Sequence, residues 1–166
     1  RQMCIRDRAN GDFETWSSYT NSPAEISSWG VSIGAQTKIF GNFDLSANYT
    51  KSKLEFEQAL YPDFRTNWNT PAHKITAQFG NTQLFENFGF NVAWRYWSEY
   101  LWQASFGDGM VPETHVIDAQ FNLTVPKWKS VIKVGATNLG GEEYFTAFGS
   151  GFIGTQYYIS WTANNF

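Results

Sequence analysis

The chain of 166 residues carries 19% aromatic side chains, with 8 Trp, 8 Tyr and 15 Phe, against only 16% charged residues. Its net charge of -3, with no Lys/Arg cluster to neutralise phosphates, excludes a nucleic-acid partner. No run approaches the roughly 18 consecutive apolar residues of a helical membrane span, so any span must be built from strands.

Taken in chain order, Arg1 to Arg8 (RQMCIRDR) fits nothing that follows and resembles translated adapter sequence. It is set apart from a β-barrel domain expected over 9–166. Cys4, the single cysteine, goes with it, leaving neither a disulfide nor a thiolate metal site. No signal peptide is visible, and one is expected upstream of the chain. Asn10 to Ile26 alternates poorly and reads as a loop.

From Trp29 onward apolar and polar residues alternate with period two, the pattern of a strand with one apolar face, and the pattern recurs about seven times. Trp29, Val31, Ile33, Ala35 and Ile39 alternate with Gly30, Ser32, Gly34, Gln36 and Lys38. After a short turn at Gly41-Asn42, Phe43, Leu45, Ala47 and Tyr49 oppose Asp44, Ser46, Asn48 and Thr50. Glu57 to Thr70 is a long connection. Ile75, Ala77 and Phe79 then oppose Lys74, Thr76 and Gln78, and Asn81 to Glu86 is a shorter link. Phe88, Phe90, Val92, Trp94 and Tyr96 fall on one face, with Gly89, Asn91, Ala93, Arg95, Trp97 and Glu99 on the other. A second long connection, Leu101 to Pro112, leads to Ala119, Phe121, Leu123 and Val125 against Asp118, Gln120, Asn122 and Thr124. Pro126 to Lys129 is short. Ile132, Val134 and Ala136 oppose Lys133, Gly135 and Thr137; Leu139 to Phe152 is long; Tyr157, Ile159, Trp161 and Ala163 oppose Tyr158, Ser160 and Thr162.

Short and long connections thus alternate, as periplasmic turns and extracellular loops do in an outer-membrane barrel. A strand of about ten residues, tilted about 40°, spans roughly the 25 Å apolar band of such barrels. Trp29, Phe40, Phe43, Tyr49, Phe79, Phe88, Tyr96 and Tyr157 lie near strand ends, where aromatic girdles form. The expected fold is all-β, an antiparallel transmembrane β-barrel. About seven strands leave two open edges, and each unsatisfied backbone group in hydrocarbon costs several kcal/mol, so the sheet is expected to continue in further sequence. A small complete barrel and a soluble carbohydrate-binding β-sandwich are the alternatives. The sandwich predicts a second sheet over the apolar face.

Three stretches resemble TonB-dependent receptors, in particular the Bacteroidetes-type branch with long surface loops: NTPAHKITAQFG (Asn69 to Gly80), with Pro-x-His-Lys opening a strand; FGFNVAWRYWSEYLWQASFGDGMVPETHVIDAQ (Phe88 to Gln120), with a long strand, a Gly-rich aromatic loop and a Pro-led return; and KVGATNLGGEEYFTAFGSGFIGTQYYISW (Lys133 to Trp161), with Thr137-Asn138-Leu139, Tyr144 and Gly154 before the final strand. Gly140-Gly141 departs from the family's usual residues. The resemblance implies about the last seven strands of a barrel of about 22, with Phe166 as the C-terminal aromatic read by the assembly machinery. It also implies outer-membrane lipid around the wall, a plug domain N-terminal to this chain, and a TonB-type energy transducer engaged through that missing part. The function implied is active uptake of a bulky nutrient such as a siderophore, glycan or peptide. The alternative is a passive or structural barrel without a plug.

No catalytic motif and no cofactor or metal site is read. His73 and His115 are surface side chains, and Gly107-Asp108-Gly109 lacks the carboxylates of a calcium loop and reads as a turn. Lys38, Asp44, Lys74, Arg95, Glu99, Asp118 and Lys133 share the polar face, where they solvate the lumen, hold the plug or touch substrate. Tyr61, Trp68, Trp97, Trp102, Phe106, Tyr144 and Phe148 give the long connections aromatic faces that stack on sugars and apolar groups, or pack the loops.

Overall fold

A computed structural model describes the backbone of residues 2–7 and 13–18 and all atoms of 25–62 and 64–163. Strand β1 (Gln2–Asp7) pairs with β2 (Phe13–Ser18) in a separate antiparallel hairpin. The expected loop over 10–26 therefore contains a strand, FETWSS, whose Phe, Thr and Trp are strong strand formers. Arg1, Arg8 and the C-terminal Phe166 lie outside the described residues.

The main sheet holds β3 (Ser27–Ile39), β4 (Phe43–Glu55), β5 (His73–Phe85), β6 (Phe88–Trp97), β9 (Thr114–Val125), β10 (Ser130–Thr137) and β11 (Gln156–Ala163). Every pairing is antiparallel and between neighbours in the sheet order β11-β10-β9-β6-β5-β4-β3. The seven strands form a meander, interrupted only by the small hairpin of β7 (Tyr100–Ala104) and β8 (Gly107–Val111), which stands inside the second long connection.

Register puts the apolar residues of each strand side by side. Leu45 faces Phe79, Phe79 faces Val92, Val92 faces Ala119, Ala119 faces Ala136, and Ala136 faces Tyr157. This face is uncovered among the described residues: Ile33 is 68% exposed and Ile159 76%. So wide an apolar surface is far beyond what a soluble monomer leaves open, and no second sheet closes over it as a sandwich requires. The few buried apolar residues, Val111, Val116, Ala136 and Tyr144, cluster toward the loop end. Val116 stands in register with Arg95 and Thr114 with Trp97, which puts them on the polar side under the long loops, whereas Ala136 belongs to the apolar row between Ala119 and Tyr157.

Two short turns match expectation. The turn after β3 takes left-handed φ at Phe40 (47°) and Gly41 (89°), and Pro126–Trp128 forms a 3-10 turn that Lys129 ends in the left-handed region. The link at Asn81–Glu86 is tighter than its composition suggests. Strand β5 runs on to Phe85 through an irregularity between Asn81 and Phe85, leaving a turn of Glu86 and Asn87. The Asn81 side-chain oxygen accepts the Gln83 backbone N–H at 2.8 Å, supplying a partner that the interrupted ladder withdraws. Gly89 permits the close approach, because a Cβ there would lie 2.4 Å from the Thr82 carbonyl oxygen.

Candidate functional site

The connections at the opposite end from the short turns are long, and they interlock. Glu57 to Thr70 and the β7–β8 hairpin are joined through paired amides. Asn69 Nδ2 donates to the Gln103 carbonyl at 2.9 Å, and the Gln103 N–H donates to Asn69 Oδ1 at 2.7 Å. The Gln103 side-chain oxygen accepts the Asn67 N–H at 3.0 Å and the Thr66 hydroxyl at 3.4 Å. Arg65 donates to the Ala104 carbonyl at 2.9 Å and forms an ion pair with Asp108.

The hairpin is joined in turn to the third loop. The Tyr100 hydroxyl donates to the Thr146 carbonyl at 2.7 Å, and burial pushes its phenol above the ordinary value. Phe148 lies against Gly109, where a Cβ would be 2.1 Å from its ring, and Phe106 lies against Gly149, where a Cβ would be 2.8 Å away. Two rings from two loops thus each occupy the space that a glycine of the other loop leaves open. Tyr144 and Ile153 exchange backbone hydrogen bonds at 3.1 and 2.7 Å and close the base of this loop.

Beneath the third loop the polar face carries a charged node. The Arg95 guanidinium reaches Asp118 at 2.8 Å, and the same carboxylate accepts the Asn138 N–H at 3.0 Å. Asn138 is 1% exposed and left-handed at φ 53°; its amide donates to the Glu142 carbonyl at 3.0 Å and its carbonyl accepts the Thr155 hydroxyl at 2.6 Å. Arg95 Nε, Trp97 Nε1 and Asn138 Oδ1 are buried and have no hydrogen-bond partner among the described residues.

Of the seven aromatic residues singled out in the sequence, Trp97, Trp102, Phe106, Tyr144 and Phe148 fall in or against the hairpin and third loop. Trp97 meets Tyr144 edge-on at 5.4 Å, and Trp102 stands 6.5 Å from Tyr100. Tyr144 is buried, while Phe106 is 72% exposed at the hairpin turn. Tyr61 packs at 6.1 Å on Phe56 in the first loop, and Trp68 is half-buried near that loop's end.

Of the seven polar-face charges, two pairs meet: Arg95 with Asp118, and Lys38 with Asp44 at 3.6 Å near the short-turn end. Lys74 and Lys133 are exposed on β5 and β10. Glu99 stands past the end of β6 rather than within the strand. Arg65 and Gln103 had no mark in the sequence, while Asn69 and Asn138 stood out only as members of the stretches that carry the resemblance, without a structural role. Between β3, β4 and β5 the polar face opens into a shallow depression lined by Gly34, Gln36, Ser46, Asn48, Thr76 and Gln78, all small or uncharged.

No family model and no curated protein matches the chain. Among solved structures it is similar to the siderophore receptor PiuA from Acinetobacter baumannii, with a TM-score of 0.59 and 19% identity, over 82% of this chain and 21% of that one. The chain thus spans about a fifth of that receptor's length, and at this identity the likeness is one of fold. With its uncovered apolar face, polar opposite face and loops gathered at one end, the chain has the all-β fold of an arc of a β-barrel wall.

Proposed function

We propose that the chain is part of an outer-membrane importer of the TonB-dependent type, of the branch with long surface loops, and that its interlocked loops capture a bulky nutrient outside the cell. The observation that carries this reading is the pairing of an uncovered apolar sheet face with loops tied together at one end of the polar face. In this reading a plug domain elsewhere in the protein gates the lumen, and a TonB-type partner of the inner membrane drives release. Phe106, exposed at the hairpin turn, and the less exposed Phe148, Trp102 and Trp68 are the stacking surfaces for ligand. Tyr61, Trp97 and Tyr144 hold the loops in shape. Lys74, Lys133, Lys38, Asp44 and Glu99 line the route or meet the plug. The unmet Arg95 and Trp97 N–H groups at the base of the crown are donors for a polar group of ligand or plug.

Cysteine labelling on intact cells tests the placement. In a Cys4→Ser background of the whole protein, Phe106→Cys should react with a membrane-impermeant maleimide, and Asn87→Cys should react only after lysis. Equal reaction at both sites before lysis would sink the outer-membrane reading. Uptake is tested separately, by the loss of growth on a siderophore, glycan or peptide as sole source when the gene is deleted. Normal growth on every such source would leave a passive or structural barrel in its place.

A further inference from the structure

Toward the loop end the outward face of β3 to β5 changes from apolar to basic. Lys51 and Lys53 lie two residues apart on β4, on the same side as Tyr49 and beyond the apolar row of Ile33, Tyr49 and Ile75. Lys51 stands in register with Val31 on one side and His73 on the other, and Lys53 stands in register with Trp29. The two lysines differ in their partners. Lys53 lies 3.3 Å from Glu55, whose same oxygen accepts the Trp29 indole N–H at 3.2 Å. Lys51 makes no ion pair among the described residues; its ammonium stands 5.7 Å from the centre of the Trp29 ring. His73 Nδ1 is 2.8 Å from the Tyr49 hydroxyl, which fixes an aromatic and an imidazole beside it.

A cation set just past an apolar strip, with Val31 beside it and Ile33 and Ile75 below, matches an amphiphile whose anionic head meets the ammonium and whose chains lie on the strip. A protein partner would not need that strip to continue down the full strand. We infer that Lys51, supported by Trp29 and Lys53, binds the phosphate of a lipid headgroup in the outer leaflet. This site rests on the outer-membrane reading and deepens it.

Native mass spectrometry of the intact protein in detergent tests it, with phosphatidic acid as the phosphate-bearing probe, phosphatidylcholine as the lipid of no net charge, and inorganic phosphate as the headgroup alone. The wild type should retain phosphatidic acid in preference to phosphatidylcholine. Lys51→Gln should lower that retention about fivefold, the worth of one lysine at a membrane surface. Lys53→Gln should lower it less, because Glu55 already neutralises that charge, and Lys74→Gln, on the opposite face, should leave it unchanged. Equal retention of both lipids, a loss at Lys74→Gln as large as at Lys51→Gln, or inorganic phosphate binding as tightly as the lipid would each overturn the site. A protein that stays soluble without detergent and retains neither lipid would instead overturn the outer-membrane reading on which it rests.

Discussion

Asp118 ties two elements together at the loop end, because its carboxylate joins Arg95 on β6 to the Asn138 N–H at the start of the third loop. Asp118→Ala removes both and leaves the guanidinium half-buried without its anion. The expected cost is about 2 kcal/mol, as for hydrogen bonds to a charged group. It should read as a lower urea midpoint of the intact protein in micelles, and an unchanged midpoint would show that the node is decorative. Gly135 has a different role. The Tyr158 ring crosses it to reach Gln120 at 2.9 Å, and a Cβ at Gly135 would lie 2.4 Å from the Tyr158 hydroxyl oxygen and 2.8 Å from the Ala119 carbonyl oxygen. Gly135→Val should therefore destabilise by about 1–3 kcal/mol, by forced overpacking, where Tyr158→Phe costs less. Equal urea midpoints for the two variants would count against this overlay. The alternation in the sequence put Arg95 and Asp118 on one face but did not pair them. It could not mark Asn138 as the third member, since a backbone N–H has no residue type.

At the level of elements, strands and short turns were readable because period-two alternation and turn residues are local signals. All seven wall strands stand where alternation placed them, and the register then sets Val92 beside Phe79 and Ala119, residues that alternation had put on the apolar face. The β7–β8 hairpin was read as part of a loop. Its five-residue strands are rich in Gly and aromatics, and what organises it is Gln103 meeting Asn69 at a distance of 34 residues in sequence, which no local pattern announces. The continuation of β5 to Phe85 was hidden for a related reason: the irregularity depends on what Gly89, across the turn, leaves empty. Asn69→Ala should remove both hydrogen bonds to the Gln103 backbone and loosen the first loop from the hairpin. Limited proteolysis should then cut within 57–70 several times faster while the urea midpoint of the sheet stays put, and cleavage at the wild-type rate would mean that Arg65 and the Gln103 side chain hold the loop unaided.

For the whole molecule the decisive quantity is what covers the apolar face. Val92 lies in the row that crosses most of the sheet, from Leu45 through Phe79, Val92 and Ala119 to Ala136 and Tyr157. Val92→Lys should cost about 2–4 kcal/mol if this row faces lipid near mid-membrane, whereas Gln78→Lys on the polar face should stay within about 0.5 kcal/mol. Equal effects of the two lysines would mean that both faces meet water. The aromatic residues near the short-turn end gather as the girdle pattern requires, with Phe43 stacked on Phe79 at 5.4 Å and Phe88 on Phe121 at 5.8 Å. At the other end, the clasp between Asn69 and Gln103 bears on how walls of this fold can be recombined. Any backbone at position 103 can meet the Asn69 amide, but the Gln103 side-chain oxygen also takes the Asn67 N–H and the Thr66 hydroxyl, so a foreign hairpin without that glutamine would leave first-loop donors unmatched. The transferable unit is residues 65–69 together with 100–111, and a chimera that moves either segment alone inherits a crown with unmatched amides.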